Sequence, residues 1–390
     1  MTTRRIWLAP LVIAACHHRP PAPDLPVRPE VPPPVGVVVP PPVPDVTYRL
    51  LATAESADQV ALIAFTPCQP GTVPPACGAR VERTYDVGRW PLEIEGPHGV
   101  VASPDGKSFY VSIAHGRPNG HLEKYDVQTG RRTGMAELGM FPATVDVSPT
   151  GSFVYVINFN FEDPDMRPSS LSIVEGDSMT EIARPETCRM PHGSRLNPQG
   201  TLHYSGCMMS DLLVEVDART LSVRRTFSLV PAAVRPIDVP GAAMGMSSVC
   251  SPTWAQPSAD GSRVYVACNK SAEIVVVDVA SWRLVKRWQT PAAPYNLAAT
   301  PDGKLLVATQ KGPGTITVWR LRDDSLLAQI PGSRRVASGV AVSRDSRYAF
   351  VTLEGIGGEP GTVDVIDLQT LQRVTSVDIG KQAGGITMLP

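Results

Sequence analysis

The chain has 390 residues, 43% hydrophobic and 19% charged, which is enough to bury a large core and leaves room for more than one domain. Its formal net charge of −1 excludes a global electrostatic attraction to nucleic acid or to anionic lipid. There are 40 prolines, about twice ordinary usage, and much of the excess lies in one N-terminal tract.

The chain opens MTTRRIWLAPLVIAAC. Arg4 and Arg5 form a basic start, and the apolar run from Ile6 to Ala15 is too short to span a bilayer, so residues 1–15 are expected to be a signal peptide. Ile13-Ala14-Ala15-Cys16 resembles the bacterial lipobox, small residues ahead of an invariant cysteine, with Ile13 where leucine is commonest. The resemblance implies that Cys16 is diacylated and becomes the mature N-terminus. An exported lipoprotein is then expected, held to a membrane through Cys16, in the periplasm or at the cell surface. Thr3 to Leu8 also resembles a twin-arginine export signal. The next stretch, HHRPPAPDLPVRPEVPPPVGVVVPPPVPDV, cannot join a helix or a sheet interior, because proline fixes φ and lacks a donor N–H. Residues 16–46 are therefore expected to be the lipidated cysteine and an extended, disordered tether.

From residue 47 onward one motif recurs: an apolar strand, a Ser/Asn-Pro-x-Gly turn, then an aromatic strand. It appears as HGVVASPDGKSFYVS (98–112), ATVDVSPTGSFVYVI (143–157) and HGSRLNPQGTLHYSG (192–206), and again as WAQPSADGSRVYVAC (254–268), YNLAATPDGKLLVAT (295–309) and SGVAVSRDSRYAFVT (338–352). Its turn residues, Gly106, Gly151, Gly200, Gly261, Gly303 and Ser346, lie 42 to 61 residues apart. Glycine there supplies the positive φ that a tight hairpin requires. A β-branched third strand and a more polar fourth follow each hairpin, as in EIVVVDV and RLVKRWQ. Four strands in some 45 residues make the blade of a β-propeller. Residues 58–65 and 80–87 read as third and fourth strands without an inner strand, and residues 384–390 as an inner strand with nothing after it. The expectation is an all-β, seven-bladed β-propeller over 47–390, its closing blade built from both chain termini so that no sheet edge stays open.

Val-Tyr-Val at 154–156 and 264–266, with Tyr110-Val111-Ser112, resembles the YVTN repeat family over about residues 47–390. That resemblance implies the propeller and leaves function open, because propellers host many functions.

Seven cysteines are present. With Cys16 assigned to the lipobox, six remain. Cys188 and Cys250 precede equivalent inner strands, and Cys207 and Cys268 end equivalent second strands, so each pair closes the open end of one hairpin. Disulfides Cys188–Cys207 and Cys250–Cys268 are predicted, together with Cys68–Cys77 in the irregular stretch of the closing blade, in an oxidising compartment. Metal thiolates are the alternative.

The loops into the inner strands and those after the second strands open on one face of a propeller. His98 and His192, each in Pro-His-Gly, lie there, with His115 after a second strand. Met140, Met166, Met190, Met208, Met209, Met244 and Met246 are on the same loops. Imidazole with thioether suits copper, and histidine also serves haem, so His98, His115 and His192 are the candidate metal or cofactor ligands. The plainer reading makes the histidines polar filling of the channel mouth and the methionines adaptable packing. Trp254 and Tyr295 read as occupying the places of His98 and His192 in their blades, and Glu162-Asp163-Pro164-Asp165 is a weak candidate for calcium. No phosphate loop, dinucleotide fingerprint or nucleophile elbow occurs.

The leading expectation is a binding or scaffold module at the cell envelope, with a protein, peptide or envelope component as partner. The alternatives are a periplasmic copper- or cofactor-binding redox protein and a lactonase-like hydrolase.

Overall fold

Alternation of β-branched and aromatic residues with turn signals every eight to twelve residues favours short antiparallel strands, and the repeats adopt them throughout. The computed structural model describes residues 46–68, 77–90, 92–115, 119–161, 163, 165, 167–231 and 248–390. The expected signal peptide, Cys16 and the proline tract to residue 45 lie outside the described residues, as do Met166, Met244 and Met246.

The described strands form seven four-stranded antiparallel sheets arranged as the blades of a β-propeller. Counting from residue 97, the innermost strands of blades one to six are Pro97–Ala102, Pro142–Val147, Pro191–Leu196, Pro252–Pro257, Pro294–Ala299 and Ala337–Val342. Blade seven is the expected composite. Ala383–Met388 is its inner strand, and Tyr48–Ala54, Gln59–Thr66 and Gly78–Asp86 complete it from the other end of the chain. Residues 58–87 hold the third and fourth strands as expected. The second strand, Tyr48–Ala54, is an addition to the sequence reading. Its hairpin partner lies at the opposite terminus, so no turn motif precedes it.

Within a blade, burial falls outward. In blade five the second strand Leu305–Gln310 and third strand Thr315–Arg320 are almost wholly buried, whereas the fourth, Ser325–Pro331, exposes most of its side chains. The core therefore lies between blades rather than along the channel. Val307, Ile316 and Val318 of blade five pack with Val340, Ala349, Val351 and Ile366 of blade six, and the pattern repeats around the ring. The hairpin turns are held as expected: Gly106 N donates to the Ser103 carbonyl (2.9 Å) with φ +71° at Gly106. Ser346 adopts the same left-handed conformation, φ +61°, without glycine's freedom.

All three predicted disulfides are present: Cys68–Cys77, Cys188–Cys207 and Cys250–Cys268. The last two clamp the same end of adjacent blades, because Pro191 pairs with Cys207 and Pro252 with Cys268.

Every inner strand carries a register shift near its start, as between Pro97 and Val100 or Pro191 and Ser194. Such a bulge re-aims side chains. The second residue of each inner strand lies within the shifted stretch or at its edge: His98, Ala143, His192, Thr253, Tyr295, Ser338 and Gly384. Their carbonyls are the acceptors of a closed belt of hydrogen bonds from blade to blade. Ser112 donates to Ala143 (2.7 Å), Thr144 to His192 (2.6 Å) and Thr253 to Tyr295 (2.8 Å). Thr309 donates to Ser338 (2.7 Å), Thr352 to Gly384 (2.6 Å) and Thr53 to His98 (3.1 Å). The seventh link, from blade three to blade four, is made by an imidazole: His192 Nδ1–H donates to the Thr253 carbonyl (3.0 Å). Close approach of the inner strands requires small residues here. A Cβ on Gly193 would stand 2.2 Å from the Thr253 carbonyl oxygen.

Candidate functional site

The belt fixes what surrounds the open end of the channel. Two rings of residues meet there. One is the set of second residues of the inner strands. The other is the residue after each second strand: Ala114, Phe159, Met208, Asn269, Lys311, Glu354 and Glu55. His98, His192, Tyr295, Phe159, Met208, Lys311, Glu354 and Glu55 from these rings, with Phe141 and Phe161, line a cavity of about 310 Å³.

The cavity is amphipathic. On the side of blades two and three, Phe141 packs edge-on against Phe161 (centroids 4.7 Å apart) and Phe159 (5.8 Å). Phe141 enters this cluster with φ +50°, a conformation costly for a bulky side chain. On the side of blades five to seven the residues are ionisable. Lys311 Nζ bonds Glu354 Oε1 (2.8 Å) and lies 4.4 Å from the Tyr295 ring centre. His115 Nε2 meets Glu55 Oε1 at 3.1 Å.

Burial raises the cost of ionising Glu55, but His98 and the His115 hydrogen bond outweigh it and hold its carboxyl below the usual range. Burial works against a charged Lys311, yet Tyr295 and Glu354 raise its pKa above the ordinary lysine value. Burial also raises the Tyr295 phenol. His192 is the most perturbed: burial, reinforced by His98, pushes it down to about 3, so its ring is neutral. Because Nδ1–H serves the belt, Nε2 is the bare nitrogen, and it accepts from the Tyr295 hydroxyl (3.3 Å).

The structure therefore brings all three sequence-predicted histidines to one mouth. His98 and His192 have ring centres 5.9 Å apart, and His98 and His115 both pack edge-on against Phe141. Among the described residues no group of three or more His, Cys, Asp or Glu is placed to hold a metal ion. Of the described methionines, Met208 lines the cavity and Met140 packs against the Phe141 cluster. One assignment is corrected. Thr253, rather than Trp254, holds the place of His98 and His192 in blade four: it is the second residue of its inner strand and stands eight residues before the turn glycine Gly261, as they do before Gly106 and Gly200. The acidic loop is also otherwise engaged, since Arg167 pairs with Asp163 (2.8 Å).

Sequence reasoning missed Glu55, Lys311 and Glu354. For Lys311 and Glu354 the signal was available, since they stand in the loop after a second strand, the location that singled out His115; for Glu55 it was not, because no turn motif marks the strand before it. The belt hydroxyls were missed as well, being spread over strands with no motif of their own.

These features define a seven-bladed β-propeller with an aromatic and ionisable cavity at one end of its channel. No protein-family model and no curated protein matches the chain. Solved structures do. The chain is similar to the hydrazine synthase of Kuenenia stuttgartiensis at 19% identity and TM-score 0.59, over 76% of this chain and 91% of that one. It is similar to a functionally unknown protein of Desulfotomaculum acetoxidans at 12% identity and TM-score 0.66, over 87% and 98%. A candidate 6-phosphogluconolactonase of Bacteroides fragilis matches at 12% and 0.66, over 90% and 100%. At such identities the likeness establishes the fold alone.

Proposed function

We propose that the protein is an exported, lipid-anchored binding propeller of the YVTN-repeat type, which takes a small ring-bearing molecule, free or displayed by an envelope component, into its channel mouth. The amphipathic cavity carries this reading. Three clustered phenylalanines share a cavity of about 310 Å³ with Lys311, Glu354 and Glu55, the mixture of apolar wall and few polar groups typical of ligand pockets. Export is supported by the lipobox at Cys16 and by three disulfides, which persist in oxidising compartments. The chain enters the propeller at Tyr48, whose hydroxyl bonds Asp345 in a hairpin turn (2.6 Å) on the face opposite the mouth, so the entry point does not obstruct it.

The test is calorimetric titration of the full chain with a panel of aromatic and matched aliphatic small molecules. Binding of the aromatic set, weakened about tenfold or more by Phe161→Ala and by Lys311→Met, is expected. Equal affinity in both variants refutes the assignment of the cavity. Acyl labelling that is lost in Cys16→Ser tests the anchor.

One observation favours a second reading, copper binding at His98 and His192. A histidine that ligates metal commonly donates its other ring N–H to a carbonyl, and His192 does so. Stoichiometric copper uptake lost in His98→Ala/His192→Ala supports that reading, and no uptake removes it.

A further inference from the structure

Below the mouth the channel continues into a second cavity. His98, His192, Tyr295, Ser338 and Gly384 line both, so the two adjoin. Arg195, Trp254 and Asn296 line only the deeper one.

Arg195 is set on the inner strand of blade three, with its guanidinium over the Trp254 ring, 4.6 Å from the centroid. A guanidinium has five N–H donors. Arg195 donates only to its neighbour's carbonyl, Ser194 O, at 2.9 Å. Asp146 is the nearest negative group acting on it, yet the two make no ion pair, and the Asp146 carboxylate instead accepts the backbone N–H of Leu196 (2.7 Å) and of Val147 (2.9 Å). Trp254 is 5% exposed and its indole N–H has no partner. Asn296 is also 5% exposed, and its amide oxygen has no partner.

Buried polar groups are normally paired, and each that is not calls for an explanation. Here a half-buried guanidinium with spare donors, a buried indole N–H without a partner and a buried amide oxygen without one belong to residues that line one cavity of the channel. The donors outnumber the acceptors, and the cationic group selects an anion. The deeper cavity measures about 40 Å³. At roughly 10–15 Å³ for each water-sized group on this measure, it holds about three such groups, the heavy-atom count of a carboxylate. A bidentate pair with a planar guanidinium is the strong form of such a contact.

We propose that Arg195, with Trp254 and Asn296, forms an anion subsite in the channel that takes the carboxylate of a ring-bearing ligand whose ring rests among the phenylalanines of the mouth. The inference rests on the mouth-binding reading for the ring and stands on Arg195 alone for the anion. It narrows the ligand class to aromatic carboxylates. The Asn296 oxygen is left to accept from a hydroxyl or water beside the carboxylate.

Two measurements on the full chain separate the two claims. In calorimetry, phenylacetate is compared with its neutral counterpart benzyl alcohol. The expected result is phenylacetate binding about ten- to a hundredfold tighter, an advantage lost in Arg195→Met and reduced in Trp254→Phe, which keeps the ring but lacks the N–H. Equal binding of the two probes, or an unchanged advantage in Arg195→Met, overturns the subsite while leaving the mouth reading intact. Crystals soaked in bromide test the anion site without any ring ligand. An anomalous peak beside the Arg195 guanidinium, absent in Arg195→Met, upholds the subsite even where no ring compound binds, and its absence from the wild type overturns it. Melting temperature and circular dichroism establish that each variant is folded, and Trp254→Phe keeps the proposal testable where Arg195→Met is not.

Discussion

Thr352→Val tests whether the belt around the channel is a structural element of the ring. Thr352 is fully buried in blade six. Its hydroxyl accepts the Gly339 N–H (2.7 Å) and donates to the Gly384 carbonyl (2.6 Å), so it joins blade six to the composite blade made from both termini. Valine has nearly the same shape and satisfies neither group. Two buried backbone polar groups lose their partner, at about 1–3 kcal/mol each, so the variant is expected to be less stable by about 2–6 kcal/mol. Thr352→Ser keeps both bonds and loses one methyl, about 1 kcal/mol. Urea unfolding followed by tryptophan fluorescence compares the three proteins, and an unchanged m-value confirms that the midpoint shift is a stability shift. The predicted order is wild type, then Ser, then Val. A valine variant within about 0.5 kcal/mol of wild type, or no worse than the serine variant, refutes the belt as a source of stability.

Cys188→Ser/Cys207→Ser opens a closed loop of 19 residues and is expected to cost about 3 kcal/mol of unfolding free energy, read as a lower urea midpoint. The same loss is expected in Cys250→Ser/Cys268→Ser, and added reductant is expected to bring the wild type below either variant. Stability is expected to fall with acid. Burial pushes His192 and His203 down to about 3, so below about pH 6.5 the unfolded chain binds protons that the folded chain does not. Their contribution is complete above pH 6.5 and is lost towards pH 3, at about 1.4 kcal/mol per pH unit for each histidine. Glu123, held at about 2 against burial by the neighbouring His121 ring and by hydrogen bonds from Tyr125, Gly88 and Arg132, adds a loss in the same direction below about pH 4.5. His203 stacks on Tyr155 and neither ring nitrogen has a partner, so His203→Phe is expected to halve the histidine slope between pH 4 and 6. An unchanged slope in that variant contradicts the assignment.

Much of the fold was legible because the hairpin motif is local. A turn such as Ser103-Pro104-Asp105-Gly106 fixes two strands within fifteen residues, and six turns of that kind fix six blades. Two of the disulfides were legible for the same reason, as Cys188 and Cys250 just ahead of an inner strand meet Cys207 and Cys268, each seven residues after the turn glycine, across one hairpin; Cys68 and Cys77 were the two that remained. Legibility ended where a contact crosses between blades or between termini. Tyr48–Ala54 pairs locally with Gln59–Thr66, but its inner-strand partner lies at the other terminus, so no hairpin turn marks it as a second strand. Trp254 was misplaced by one residue because it was counted forward from Cys250, which lies one residue closer to its inner strand than Cys188 does; the turn glycine, eight residues after Thr253, marks the place correctly. The belt is the extreme case: each of its donors is an ordinary serine, threonine or histidine, and each acceptor is a carbonyl that sequence does not display.

The same distinction bears on the candidate site. The motif Pro-His-Gly made His98 and His192 look equivalent, and by register they are. Their chemistry differs because the belt differs. Blade two supplies Thr144 to the His192 carbonyl and blade seven supplies Thr53 to that of His98, but in blade three the side chain of His192 itself makes the next link. That one substitution in a ring of hydroxyls fixes the His192 tautomer and turns its bare nitrogen towards Tyr295, while burial keeps the ring neutral. It also leaves Gly193 without space for a side chain, two residues before Arg195. A structural link in the belt and the polar wall of the cavity are thus the same residue. Replacing His192 is therefore expected to disturb the belt and ligand uptake together, whereas Lys311 and Arg195 lie outside the belt, so their replacement leaves its links in place.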